Sequence, residues 1–267
     1  MTGTAHGRAF RFGAVAASAR TGPEWAATAR RIEGLGFTTL LCPDTTSTLA
    51  PFSALAAAAA ATSTLRVGTY VLASPLRSPD MVAWESASLD LLSSGRFDLG
   101  LGAGRPDAAQ DAARLGLPFG TAAQRMTRIE QTLAAVRERR TPTDPPAHHD
   151  AVRGVQLPTP PILIAGAGPK MLRLAAQNAD IIALGVPPQT TEDELAAKSN
   201  QLRQIAPDAF DRLELNVNLA LVGDRIPPHA ASWLGADPRQ LIRDGSITVL
   251  GGAPRQMADT LLRRRDR

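Results

Sequence analysis

The spacing of hydrophobic residues switches repeatedly along the chain. Short apolar or alternating runs, as in strands, give way to the three-and-four spacing of helices. Arg11 to Ala17 reads as a short strand. The helix after it has Pro23 near its start, Trp25, Ala29, Ile32 and Leu35 on one face, and Gly36 beyond its end. Thr38 to Cys42 is a second, buried-type strand ending in Pro43-Asp44, and Pro51 opens an alanine-rich helix to about Ser63. Leu65 to Ala73 is a third strand, and Pro79 starts a helix carrying Met81, Trp84, Leu91 and Leu92. Arg96 begins a fourth strand in which Phe97, Leu99 and Leu101 alternate with Gly100, Gly102 and Gly104.

A loop over Arg105 to Phe119 precedes a helix with Met126, Ile129, Leu133 and Val136 on one face. Thr141 to Pro161, rich in proline, charge and histidine, reads as an excursion, since the same rhythm continues on both sides. Ile162 to Ala165 is a fifth strand running into Gly166-Ala167-Gly168-Pro169 and a helix through Gln177. Ile181 to Val186 and Leu213 to Val222 are strands six and seven, with a helix from Glu192 to Ile205 between them. The remainder reads as mostly helical, over Pro238 to Arg243 and then Pro254 to about Arg264.

Strands alternating with helices imply parallel pairing through right-handed crossovers. Seven such units favour an α/β barrel of the TIM type, (β/α)8, over an open sheet, with one domain over residues 1–267. The count leaves the eighth strand and its helix lacking.

The glycine-alternating strand poses the main question. A row of glycines on one face means that something approaches the backbone closely. It is either another piece of protein or a flat ligand. Gly100 reads as a packing position, whereas Gly102 and Gly104, nearer the strand's end, read as places of ligand approach.

Composition narrows the function classes. Of 267 residues, 44% are hydrophobic and 20% charged, which suits a globular domain. A net charge of +4 and 4% aromatics give little for a nucleic acid to hold or stack on, and Arg263-Arg264-Arg265 reads as a solvated helix end. A single cysteine, Cys42, fits a reducing cytoplasm and reads as core. The first ten residues lack the apolar core of a signal peptide, and Leu49 to Ala61 is too short to span a bilayer. His6, His148, His149 and His229 form no metal-ligand pattern, so no metal is expected. Walker, hydrolase-elbow and dinucleotide motifs are missing too.

Four stretches in order carry a resemblance. They are Leu65-Arg66-Val67-Gly68-Thr69-Tyr70-Val71-Leu72; Leu76-Arg77-Ser78-Pro79; Leu89 through Gly104; and Pro160-Pro161-Ile162-Leu163-Ile164-Ala165-Gly166-Ala167-Gly168-Pro169, with Ala179-Asp180 after it. Together the chain resembles the bacterial luciferase-like monooxygenase superfamily from about Phe10 to Leu262, and within it the actinobacterial oxidoreductases that use the deazaflavin F420.

The resemblance implies F420, or FMN as the alternative, held at the carboxyl ends of the strands. It implies cofactor contacts at Asp44, Tyr70, Val71, Ala73, Ser74, Gly102, Gly104, Ala165, Gly166, Ala167 and Gly168, with a cis peptide near Tyr70 and Val71. Gly166-Ala167-Gly168, between a strand and a helix, independently suits a phosphate, through free N–H groups and the helix dipole. Thr45 and Ser78 stand where relatives often carry histidine, and Arg105 where sugar-phosphate dehydrogenases carry glutamate. Asp44 and Arg105 are therefore the only candidates for direct chemistry, Arg105 as a grip on an anion.

The expected function is an oxidoreductase moving a hydride to or from a small organic molecule. The alternatives are an FMN-dependent monooxygenase and a non-catalytic barrel serving a related one as partner. A homodimer or a heterodimer with a related barrel is the implied assembly; nucleic acid and membrane are not expected partners.

Overall fold

The structure is a computed structural model that describes residues 9–139, 152–223, 225–226 and 234–266. The chain divides into two compact units. The larger comprises Arg11–Ala165 and Asn178–Ile181, and the smaller Gly166–Gln177 and Ile182–Arg267 with the N-terminal residues through Phe10.

The larger unit runs β1 (Gly13–Val15), α1 (Gly22–Gly34), β2 (Thr39–Cys42), α2 (Pro51–Ala61), β3 (Arg66–Thr69), β4 (Leu72–Ala73), a 3-10 turn (Ser74–Leu76), α3 (Pro79–Leu92), β5 (Phe97–Gly102), α4 (Ala108–Arg114), α5 (Ala122–Glu138) and β6 (Ile162–Ala165). Its strands lie in the order β1-β2-β3-β5-β6, every neighbouring pair parallel, with β4 also paired to β5.

Local chemistry explains the helix starts. The Thr21 side chain caps α1 by accepting the Glu24 N–H at 3.2 Å, and Pro23 sits in the first turn, where its missing N–H costs nothing. Thr121 and Gln124 form a reciprocal capping box on α5. The alanines of α2 leave no bulk or charge between helices, and Trp25 of α1 reaches across to donate its indole N–H to Ala54 O at 2.7 Å.

The amino ends of the strands are closed by buried charge. Asp98 of β5 binds Arg66 through Nε at 3.1 Å and through a second guanidinium nitrogen. Fully buried Asp90 accepts the Gln156 N–H at 2.9 Å and its Nε2 at 2.6 Å. In barrels of this kind that end serves stability rather than chemistry.

In the smaller unit stand α6 (Pro169–Asn178), most of β7 (Ile181–Ala183), α7 (Glu192–Ile205), β8 (Glu214–Asn216), β9 (Leu221–Val222), α8 (Pro238–Arg243), β10 (Val249–Leu250) and α9 (Pro254–Arg265). Leu221, Leu234, Leu241 and Val249 form one hydrophobic cluster in it, and Arg263 and Arg264 fix α9 to Glu192 of α7.

Four expectations change. The third strand splits into β3 and β4, the loop from Arg105 holds α4, and the seventh strand splits into β8 and β9. Val249–Leu250, inside the stretch read as mostly helical, is a strand paired in parallel with β9 in a sheet of two. Two residues are too few for any period to show. The excursion from Thr141 lies outside the described residues up to position 151, and so do all four histidines. No helix among the described residues is long and apolar enough to cross a membrane.

Glu33 near the end of α1 holds the α2–β3 turn. One carboxylate oxygen accepts the N–H groups of Ser63, Thr64 and Leu65 at 2.7–2.9 Å, and the Thr64 hydroxyl at 3.0 Å. These bonds, the Thr64 and Leu65 N–H groups foremost, lower its pKa from 4.5 to about 2. A carboxylate with a depressed folded pKa stabilises above its unfolded value, and the gain is lost as pH falls through the folded one. The stability difference between wild type and E33Q, followed by urea denaturation, is therefore expected to be full at neutral pH and to shrink as pH drops from about 4.5 toward about 2.

Candidate functional site

The site begins with a mismatch of register. Val67 and Gly68 of β3 pair with Phe97 and Asp98, whereas Leu72 and Ala73 of β4 pair with Leu101 and Gly102. Four residues advance on one strand opposite three on the other, so Thr69–Val71 forms a one-residue bulge. The Tyr70–Val71 peptide within it is cis.

The glycine row accommodates this bulge. A Cβ on Gly100 would stand 2.1 Å from Thr69 O, and one on Gly102 would stand 2.7 Å from Val71 Cγ2. The Thr69 hydroxyl locks the contact, donating to Gly100 O at 2.9 Å and accepting the Gly100 N–H at 2.7 Å. Gly104, at φ +80°, lies with its Cβ position 3.2 Å from Pro75 and 3.4 Å from Phe119. What approaches these glycines is the chain's own bulge and turn, so the space beside Gly102 on its Cβ side is filled by Val71.

Asp44, just past β2, fixes the segment after the bulge. Its carboxylate takes Arg77 Nε at 3.0 Å and Nη2 at 2.9 Å, a two-pronged pair, and also accepts the Ala73 N–H at 3.2 Å. The Asp44 side chain is 6% exposed and that of Arg77 22%. Glu85 of α3 stands 3.6 Å from Arg77, whose guanidinium also lies over the Phe52 ring at 5.6 Å. Burial alone pulls the Arg77 pKa down; the hydrogen bonds and charge of Asp44, with Glu85, outweigh it and raise it. Burial raises the Glu85 carboxyl, against the pull of Arg77. Asp44 is thus an anchor for backbone.

Elsewhere in this unit, the Ser74 hydroxyl donates to Arg125 O at 2.9 Å, and Ala73 lies in line with Gly102 and Ala165 across β4, β5 and β6. Burial pushes the Tyr70 phenol up to about 12 and, foremost among its causes, the Cys42 thiol to about 11. Cys42 donates to Ala16 O at 3.3 Å in the core. Arg105 is 78% exposed and pairs with Asp107 at 3.4 Å. Thr46 donates to Asp111 of α4, which ties the loop after β2 to that helix. Neither this tie nor the Arg77 pair was legible in the sequence, because partners far apart in the chain leave no periodic mark.

The Gly166–Gly168 loop belongs to the smaller unit. Gly166, at φ +155°, donates its N–H to Ala183 O at 3.0 Å, and a Cβ there would meet Met171 Cγ at 2.5 Å. Gly168, the residue before α6, has nothing within 4 Å of its Cβ position.

Two predictions follow the larger unit's geometry. G100A forces a methyl into a carbonyl that cannot retreat and is expected to cost about 3 kcal/mol in urea denaturation, whereas G34A at the end of α1, with open space around it, stays within about 1 kcal/mol of wild type. R77M leaves the buried Asp44 carboxylate short of its charge partner, again about 3 kcal/mol, and the double variant D44N/R77M is expected to lose less than the two single variants together.

Comparison with known proteins agrees with this architecture. The family model for luciferase-like monooxygenase matches residues 9–222. The 4-hydroxyprotoasukamycin monooxygenase of Streptomyces nodosus is 33% identical over 158 residues, covering 54% of this chain and 41% of that one. The F420-dependent glucose-6-phosphate dehydrogenase of Beutenbergia cavernae is 34% identical over 134 residues, covering 47% and 39%. The chain spans about half the length, or less, of the curated relatives it matches. Riboflavin lyase, solved with modified FMN and riboflavin, superposes with a TM-score of 0.74 at 16% identity, over 97% of this chain and 85% of that one. The likeness shows a shared TIM-like fold. With its sequence pattern matched over most of its length, the chain belongs to the luciferase-like monooxygenase family.

Proposed function

We propose that this chain is an oxidoreductase that uses F420, with FMN as the alternative, to move a hydride to or from a small organic substrate. The observation that carries the reading is the makeup of the carboxyl end of the larger unit's strands. It is a wall of backbone and mostly small side chains, and the reactive or charged groups that the sequence singles out near it are already committed. Asp44 is held by Arg77, Cys42 stays protonated in the core, and Arg105 stands exposed on Asp107. Such a wall suits chemistry in which the cofactor carries the reactivity and the protein supplies orientation and a dry face.

When bound, F420 or FMN supplies a ring that accepts or donates the hydride. In the larger unit, Tyr70, Val71, Ala73 and Ser74 would form the surface against that ring, with Gly102, Gly104 and Ala165 shaping the backbone beside it. Asp44 acts by holding Ala73. In the smaller unit, the Ala167 and Gly168 N–H groups before α6 would receive a phosphate, since the Gly166 N–H is already bonded to Ala183 O. F420 is supported by the relative named for it and by the sequence pieces around the bulge; the riboflavin lyase structure, solved with modified FMN, keeps FMN in view.

A non-catalytic partner barrel is the competing reading. Thr45 favours it: where relatives often place histidine, this hydroxyl pairs with Ser47 at 2.7 Å. Fluorescence titration of the purified chain with F420 and with FMN decides among the readings. Saturable binding of F420 is expected. Binding of FMN alone overturns the preference for F420, and binding of neither overturns the enzymatic reading in favour of the partner subunit.

A further inference from the structure

Arg125, in the first turns of α5, joins three segments distant in sequence. Its Nε donates to Ala103 O at 2.7 Å, one residue past the end of β5, and Nη1 donates to Gly120 O at 2.8 Å. Its own carbonyl accepts the Ser74 hydroxyl at 2.9 Å. The guanidinium lies on the Phe119 ring at 4.1 Å, and Phe119 packs on the small apolar cluster of Ala73, Leu76, Ala108 and Ala112. Phe119 and Pro75 also flank Gly104. A planar fork with donors in fixed directions can hold two carbonyls and a ring together; an ammonium cannot.

The wall after the bulge therefore has two clamps. Asp44 with Arg77 holds Ala73 from the side of β2; from the side of α5 the guanidinium of Arg125 holds Ala103, and the main-chain carbonyl of the same residue holds Ser74. We infer that Arg125 is a positioning residue for the cofactor-facing wall, fixing the end of β5 relative to the Ser74–Leu76 turn and hence the gap that a planar ring meets. The inference rests on the functional reading above for what the wall receives, but not for the clamp itself.

The test has two arms on R125Q and R125K in the full chain. The first is amide hydrogen exchange without any cofactor. Exchange at Ala103–Gly104 is expected to quicken roughly tenfold in R125Q and less in R125K, with β1 to β3 unchanged and the Ser74 turn, which keeps its bond to the main-chain carbonyl of residue 125, changed less. The second uses whichever of F420 and FMN the wild type binds, together with the same ring lacking its phosphate tail. R125Q is expected to weaken both by the same factor, roughly tenfold, and to shift the absorbance of the bound ring, because the wall meets the ring and not the tail.

Unchanged exchange in R125Q overturns the inference whatever the chain binds. Faster exchange with unchanged affinity and spectrum also overturns it, since that is the signature of a residue that only stabilises. A wild type that binds neither cofactor overturns the functional reading alone, and the exchange arm still decides whether Arg125 is the clamp.

Discussion

Close contact between β5 and the bulge at Thr69–Val71 is the constraint on which the candidate site depends. Parallel strands keep paired residues on a common face, so one extra residue exchanges the faces of everything beyond it. Without the bulge, Leu72 would stand opposite Gly102; with it, Ala73 does, and Leu72 pairs with Leu101. A small residue thus lies beside Gly102 and Ala165, while the leucine packs beside Leu101. The exchange is possible only because Gly100 and Gly102 leave room for Thr69 O and the Val71 side chain. Glycine row and bulge are two halves of one feature.

Electrostatics then hold the feature in place. At the amino ends of the strands, buried Asp98 and Asp90 are consumed by Arg66 and Gln156. Past the carboxyl ends, Asp44 and Arg77 secure one backbone N–H with a charge pair shielded from water. A pair of this kind adds little net stability against an apolar substitute but enforces one geometry, since leaving either partner alone is costly. The consequence is that Asp44 is held by a charged partner rather than left open at this end of the strands.

The sequence reveals the fold's repeats well and its interruptions poorly. Helix α7 was legible to both of its ends, Glu192 and Ile205, and Cys42 was read rightly as core. The break between β3 and β4 left no trace in the period, because Tyr70 to Ala73 continues the run without a polar residue or a turn former to mark it; only the likeness to relatives pointed to Tyr70 and Val71. Gly102 was read as facing a ligand, and its Cβ side faces Val71 instead: a glycine announces close approach but not what approaches. Arg105 drew notice by its place after the glycines, whereas Arg77 was noted only as part of the Leu76–Pro79 match and Arg125 gave no signal at all. The roles of Arg77 and Arg125 come from contacts spanning 22 to 51 residues of chain, which a periodic reading cannot see.

The central claim is that the bulge itself fills the glycine face of β5. The most direct measurement is a nuclear Overhauser spectrum of protein labelled at valine methyls and glycine α positions. Strong cross-peaks from the Val71 methyls to the α protons of Gly100 and Gly102 are predicted. Their absence, or a Val71 whose methyls contact neither glycine, would contradict the account.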